Sequence, residues 1–267
     1  MSVVVYEHPL SPYAQKVKIA LEEKGVPFDA RMPEAIGSGR TGGEFARANP
    51  RGEVPVLLDG GVALFDSSVI LAYVEERWPE PALFPADPVA RARVRTIEEV
   101  MDTHYEANTW ALGEIRAFGR ATGDRAARLE ARAQRELALW HRWLDARLGG
   151  AEWFGGERFG APDLCVAPFV NGAAGWGYPP EPGSALADWH ARVNRRQSVA
   201  NAARAAVEAS AASSGAGLDA VRQLLEQGLF KREYRDHRLE WMVKQGGLDI
   251  VAEGIEKSNV RFVDPPE

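Results

Sequence analysis

The chain opens on Val3-Val4-Val5-Tyr6, a short β-branched and aromatic run that predicts a buried strand. His8-Pro9-Leu10-Ser11-Pro12 interrupts it, and a helix is predicted from Pro12 to Lys24. Ala14, Val17 and Leu21 share one face of that helix, Ser11 stands at the N-cap, and Pro12 occupies the first helical position, where a missing N–H costs nothing. Gly25 and Pro27 stop the helix. Phe28 to Arg31 reads as a second strand, parallel to the first through a right-handed crossover. The glycine-rich stretch 34–43 reads as a mobile loop. Val54 to Leu58 is a strand opened by Pro55, and Asp59-Gly60-Gly61 turns it back into Val62 to Phe65 as a hairpin. A third helix begins at Asp66-Ser67-Ser68, runs through Ile70, Leu71 and Val74, and ends by Pro79. The order is βαβ followed by ββα.

After Pro85 the pattern changes. Val89 to Phe118 and Ala126 to Leu148 carry apolar residues at helical spacing among many Arg and Glu. Further helices fit Pro162 to Phe169, Ala185 to Val193 and Ser198 to Glu208. Ala209 to Gly217 reads as a flexible linker, and the charged stretch from Leu218 to Val263 is again helical, split at Gly246-Gly247. The division expected is an α/β domain over 1–82, an all-α helical domain over 83–210, and a linker with a helical extension over 211–267.

Composition narrows the chemistry. Across 267 residues the net charge is −6, which argues against a dedicated nucleic-acid binder. The single cysteine, Cys165, can form neither an internal disulfide nor a metal cage, and it reads as a buried core residue; no metal is expected. The N-terminus lacks the basic and apolar regions of a signal peptide, and no apolar run is long enough for a membrane span, so a cytoplasmic location is expected.

Three features lie in register. Ser11-Pro12-Tyr13-Ala14 starts a helix after a strand, Val54-Pro55 opens a strand 43 positions after Ser11, and Asp66-Ser67 starts the helix after a hairpin. Together with the helical second half and Phe159-Gly160-Ala161-Pro162-Asp163, they resemble the thioredoxin-like, glutathione-binding domain of cytosolic glutathione transferases, over about residues 1–210. Serine at position 11 is similar to the tau and zeta arrangements, and the absence of cysteine at 11 and 14 excludes disulfide reduction by a protein thiol there. The resemblance implies that Ser11 stabilises the thiolate of glutathione at a helix N-terminus. Tyr6, inside the predicted strand, is a rival donor. The resemblance further implies a cis Val54-Pro55 bond that exposes the Val54 backbone to a peptide ligand. Asp66 and Ser67 would hold its γ-glutamyl end, and Arg40, with Arg51 and Arg47 behind it, its glycyl carboxylate. Glu53 departs from relatives with Lys or Gln there, and Gly160 from relatives with Ser or Thr, a missing cap costing about 1 kcal/mol or less.

The second substrate, a small hydrophobic electrophile, is expected between the domains. Tyr13, Tyr105 and Thr109 are the candidate wall, with His104, Asn108 and Trp110 nearby. The resemblance implies a transferase acting as a two-fold homodimer. A glutathione-dependent isomerase and a non-catalytic ligand-binding or regulatory protein on the same scaffold are the alternatives. Lys231 to Arg238 mixes signs and reads as a solvated face; Trp241, Met242, Leu248, Ile250, Val251 and Ile255 are expected to dock on the helical domain or a partner subunit and to cover the electrophile pocket.

Overall fold

The structure is a computed structural model that describes residues 3–34 and 43–262. Strands β1 (Val3–Tyr6), β2 (Phe28–Arg31), β3 (Val56–Asp59) and β4 (Val62–Phe65) form one sheet in the order β2-β1-β3-β4. β1 and β2 run parallel, joined by helix α1 (Pro12–Glu23), whereas β1 with β3 and β3 with β4 run antiparallel. The hairpin turns at Gly60, whose φ of +61° suits glycine. Helix α2 (Gly43–Ala48), which the periodicity did not predict, precedes β3, and α3 (Ser67–Arg77) follows β4. The apolar faces of α1 (Val17, Ala20, Leu21) and α3 (Ile70, Leu71, Val74) join Val3, Val5 and Leu57 in one core. This is the thioredoxin-like sheet expected, and the rest of the described chain is mostly helical.

Helix α4 (Pro88–Val100) continues through a π-helical turn at Met101–Tyr105 into α5 (Glu106–Leu112), and a second π-helical turn follows at Gly113–Ala117. Next come α6 (Gly123–Leu148), α7 (Ala161–Gly175), α8 (Ala185–Val193) and α9 (Gln197–Ala212). Helix α7 is apolar all round and is buried from Leu164 to Val170, Cys165 included, as a central helix must be.

The alanine-rich stretch expected to be a linker is mostly helix, because alanine favours helix over coil. Helix α9 runs to Ala212 and α10 (Ala216–Glu226) begins four residues later. Beyond it lie β5 (Arg232–Glu233), α11 (Asp236–Gln245), α12 (Leu248–Glu256) and β6 (Val260–Arg261), with β5 and β6 paired in parallel. Trp241, Met242, Ile250 and Val251 are buried. Leu248 and Ile255, also expected to dock, are more than half exposed. They stand seven residues apart on the outer face of α12, while Ile250, Val251 and Gly254 form its inner face.

Gly160, at the N-cap of α7, corrects the expectation of a deficient cap. A Cβ there would lie 2.8 Å from the Leu83 carbonyl oxygen, which also accepts the Ala161 N–H at 2.8 Å. Glycine is therefore required by close backbone approach. The other half of the cap is intact: Asp163 accepts the Gly160 N–H at 3.0 Å, the Phe154 N–H at 3.0 Å and the Trp189 indole N–H at 2.8 Å. Burial pushes the Asp163 carboxyl up to about 6 while these donors pull it down. Gly160→Ser is expected to destabilise the protein by about 1–3 kcal/mol in urea unfolding, through overpacking. A stabilised variant would show that the hydroxyl's capping bond outweighs the clash.

Candidate functional site

Strand directions decide where the site lies. Val56, at the start of β3, pairs with Tyr6 at the end of β1 and with Phe65 at the end of β4. The segment before β3, the start of α1 and the start of α3 therefore meet at one end of the sheet. Val54-Pro55, Ser11 and Asp66-Ser67 are brought together by this topology.

Ser11 caps α1 in extended conformation, and its Oγ accepts the Ala14 N–H at 3.3 Å. Its hydroxyl proton has no acceptor among the described residues. A helix N-terminus carries about half a positive charge and unpaired N–H groups, so an anion placed there gains from both. Tyr6, the rival donor, gives its hydroxyl to Glu44 at 2.9 Å.

Asp66 caps α3 with φ 76° and ψ 122°, outside the regions that a residue with a Cβ favours. Such a conformation costs on the order of 1–3 kcal/mol, and strain of this kind gathers at ligand sites. Asp66 Oδ1 accepts the Ser68 and Val69 N–H groups at 3.1 and 3.4 Å. Ser67 is buried, and among the described residues its N–H has no acceptor. The Val54–Pro55 bond is cis, and the Val54 N–H and C=O have no backbone partner among the described residues.

Arg40 lies outside the described residues, and Arg47 is exposed on α2. Arg51 bridges the site: it holds Glu53 at 2.5 Å and reaches Asp66 at 3.7 Å. Glu53 in turn lies 3.8 Å from Arg235 of the C-terminal extension, and Arg261 donates to the Arg51 carbonyl at 2.8 Å. The extension thus touches the site that the first strands and helices build.

The expected aromatic wall is not assembled. Tyr13 is half-buried and donates to the Asp102 carbonyl at 2.6 Å. Burial and Glu106 push its hydroxyl well above the usual phenol range, with Arg238 and Arg235 pulling against them. Tyr105 is fully buried, its hydroxyl 2.8 Å from the His141 ring and its ring against Phe169, so it belongs to the core rather than to a pocket wall. Thr109 donates to the Glu106 carbonyl at 3.0 Å. Trp110 packs edge-on against Tyr234, and buried Asn108 accepts the Trp241 indole N–H at 2.9 Å. His104 is exposed and stacks on Trp140. A cavity of about 350 Å³, lined by His104, Trp140, Trp143 and Trp241 among others, contains none of Ser11, Val54, Asp66 or Ser67.

The mixed-sign run at 231–238 is not the solvated face expected from its composition. Arg238 and His237 meet the buried Glu106 at 2.6 and 3.0 Å. Burial would raise the Glu106 carboxyl, but these two partners hold it down at about 2. Arg232 and Tyr234 meet Glu114, which is fully buried, at 2.5 and 3.1 Å. The signal was the acid spacing: Glu106 and Glu114 sit among apolar residues on one helix, where an unpaired carboxylate would be costly.

Sequence reading also missed Lys16. Its ammonium is fully buried, 2.7 Å from both Asp102 oxygens and 3.4 Å from Glu98. Burial would lower its pKa, but Asp102 and Glu98 raise it. Ser68 donates to Glu98 at 2.8 Å, which brings α3 into the same cluster. Lys16→Met leaves Asp102 without its cation and is expected to cost about 3–5 kcal/mol in urea unfolding. A loss under about 1 kcal/mol would show that the cluster is solvated in solution.

The family model described as "Glutathione S-transferase, N-terminal domain" matches residues 10–77. The chain is 30% identical over 171 residues to glutathione S-transferase U28 of Arabidopsis thaliana, covering 63% of this chain and 71% of that protein. It is 30% identical over 193 residues to a maleylacetoacetate isomerase of Pseudomonas aeruginosa, covering 66% and 83% respectively. The crystal structure of a glutathione S-transferase from Methylobacterium radiotolerans, in complex with glutathione sulfonate, superposes with a TM-score of 0.60 at 28% identity, over 76% of this chain and 95% of that one. With its thioredoxin-like sheet, its helical remainder and these similarities, the chain belongs to the glutathione S-transferase family.

Proposed function

We propose that the chain binds glutathione at the end of the sheet where α1 and α3 begin and activates its thiol for attack on an electrophile. The observation that carries this reading is the strained Asp66 beside the unpaired Ser67 N–H. An α-amino acid end presents an ammonium and a carboxylate together: Asp66 suits the first, and the Ser67 N–H at a helix start suits the second. The Val54 backbone groups offer strand-like pairing to the peptide, and Arg51 and Arg40 are cations for its remaining carboxylate.

Ser11 then acts on the sulfur. Its hydroxyl donates to the thiolate while the α1 N-terminus favours the negative charge, so the thiol loses its proton to solvent more readily. Each unit by which the thiol pKa falls is about 1.4 kcal/mol of preference for the anion and raises the thiolate fraction roughly tenfold near neutral pH. In a substitution, the sulfur's electron pair forms the new C–S bond and the leaving group departs with its own pair. Ser11 does not form the covalent bond. The active species is proposed to be a cytoplasmic two-fold homodimer, which sedimentation tests directly.

The similarity to the isomerase supports a second reading, in which glutathione adds to the substrate and is released again after isomerisation. Free-thiol loss separates the two, since conjugation consumes one thiol per turnover and isomerisation consumes none.

Ser11→Ala is expected to lower kcat on a generic aryl halide by about 100-fold, the scale set by loss of one donor to a developing or resting anion. Glutathione affinity should change little, and stability should fall by about 0.5–2 kcal/mol through the lost cap. Undiminished turnover in Ser11→Ala would defeat the assignment of this residue.

A further inference from the structure

The polar network where the extension meets the thiol site does not close on itself. Arg51 holds Glu53, Arg238 holds Glu106, Arg232 holds Glu114 and Arg261 holds Glu233, all at 2.5–2.9 Å. Arg235 differs. Its nearest carboxylate oxygens among the described residues belong to Glu53 and Glu233, at 3.8 and 3.9 Å, and both acids are already held by closer arginines. Its side chain is 37% exposed, whereas those of Glu53 and Glu233 are 16% and 9% exposed. One guanidinium therefore remains partly solvated at the edge of a network whose carboxylates are taken.

Its position gives this surplus a meaning. Arg235 touches Glu53, the residue before Val54, and it is close enough to Tyr13 to act on its hydroxyl. Tyr13 is two residues from Ser11. The guanidinium thus borders the strip proposed for the peptide, and its charge is felt at Tyr13. Guanidinium pairs best with planar carboxylates, so a carboxylate brought to this edge of the site would meet a cation that is only loosely paired.

We propose that Arg235 binds a carboxylate on the second substrate, so that the preferred acceptor is a carboxylate-bearing electrophile rather than a wholly apolar one. The proposal rests on the glutathione-dependent reading above. The same guanidinium chemistry would serve the glycyl carboxylate of the tripeptide, and the experiment separates these sources.

The test compares 4-chloro-3-nitrobenzoate with 4-chloro-3-nitrobenzamide, which differ in charge at the same reacting carbon. In each, glutathione sulfur forms the C–S bond and chloride leaves with its bonding pair. After correction for the uncatalysed rates, the benzoate-to-benzamide ratio of kcat/KM is expected to be about ten or more in the wild type, the scale of one charge-assisted bond. Arg235→Gln should bring the ratio close to one, and Arg235→Lys should restore part of it. A ratio near one in the wild type, or one unchanged by Arg235→Gln, overturns the proposal. So does a loss confined to glutathione affinity, which would assign Arg235 to the tripeptide.

Equilibrium binding of the two S-aryl glutathione conjugates supplies a readout that needs no turnover. If the wild type converts neither halide yet binds the carboxylate conjugate about tenfold more tightly in an Arg235-dependent way, the proposal holds and the transferase reading fails. Equal affinity for the two conjugates overturns it.

Discussion

The buried ammonium of Lys16 holds the candidate site in register. Lys16 lies on α1, five residues after Ser11, and Ser68 lies on α3, directly after Ser67. Both reach Glu98 and Asp102, on α4 and the π-helical turn that continues it. The two helix N-termini that face the proposed ligand are therefore tied to one pair of carboxylates. Among the described residues, Asp102 also receives Tyr13 through its carbonyl, which fixes the first turn of α1 from a second direction. Buried ion clusters of this kind add little net stability over an apolar core of the same shape, because desolvation offsets the attraction. What the cluster supplies is position, since an alternative packing of α1 on α4 would leave charges unpaired in the interior.

Strong local signals were legible in the sequence. Pro12 after Ser11, the Asp59-Gly60-Gly61 turn and the β-branched run at 3–6 each specify backbone geometry within a few residues, and the sheet, α1 and α3 stand where those signals put them. The ends of helices were less legible, because Ala209 to Ala212 can be coil or helix by composition and the neighbouring packing decides. The proposed dock at Asp66 and Ser67 could be placed on a helix start, but the positive φ of Asp66 is a property of the folded hairpin junction that no residue type announces. Gly160 carried the opposite lesson: judged against a capping rule it looked deficient, while the nearby Leu83 carbonyl, 77 positions away, makes glycine necessary.

Long-range charge pairing was the part that the chain hides. Read along the sequence, Arg232, Glu233, Arg235 and Arg238 look like an ordinary hydrated surface, and Lys16 looks like the polar side of an amphipathic helix. Lys16, Arg232 and Arg238 are drawn inward by partners more than 80 residues away, Glu98 and Asp102 for Lys16, and Glu114 and Glu106 for the two arginines. Glu106 stands in a helix otherwise rich in buried side chains, and Glu114 lies beside buried Ile115 in the turn that continues it. A pair of half-signals, an acid in an apolar helix and a basic run elsewhere, identifies such a network better than either alone.

The network also joins the extension to the residues proposed to hold the ligand. Arg51 is shared between Asp66, at 3.7 Å, and Glu53, and its carbonyl is held by Arg261 next to β5. A ligand ammonium that takes Asp66 competes with Arg51 for the same carboxylate and turns Arg51 wholly towards Glu53. Glu53 then has less to offer Arg235, whose contact is already the longer one. On the proposed reading, filling one end of the site would leave the guanidinium at the other end more available to an incoming anion. By linkage the reverse would then hold to the same degree: an anion on Arg235 would relieve its claim on Glu53, strengthen the Arg51–Glu53 pair and free Asp66 for the ammonium. Charge sharing across these four side chains would couple the two proposed ligands without any movement of the backbone.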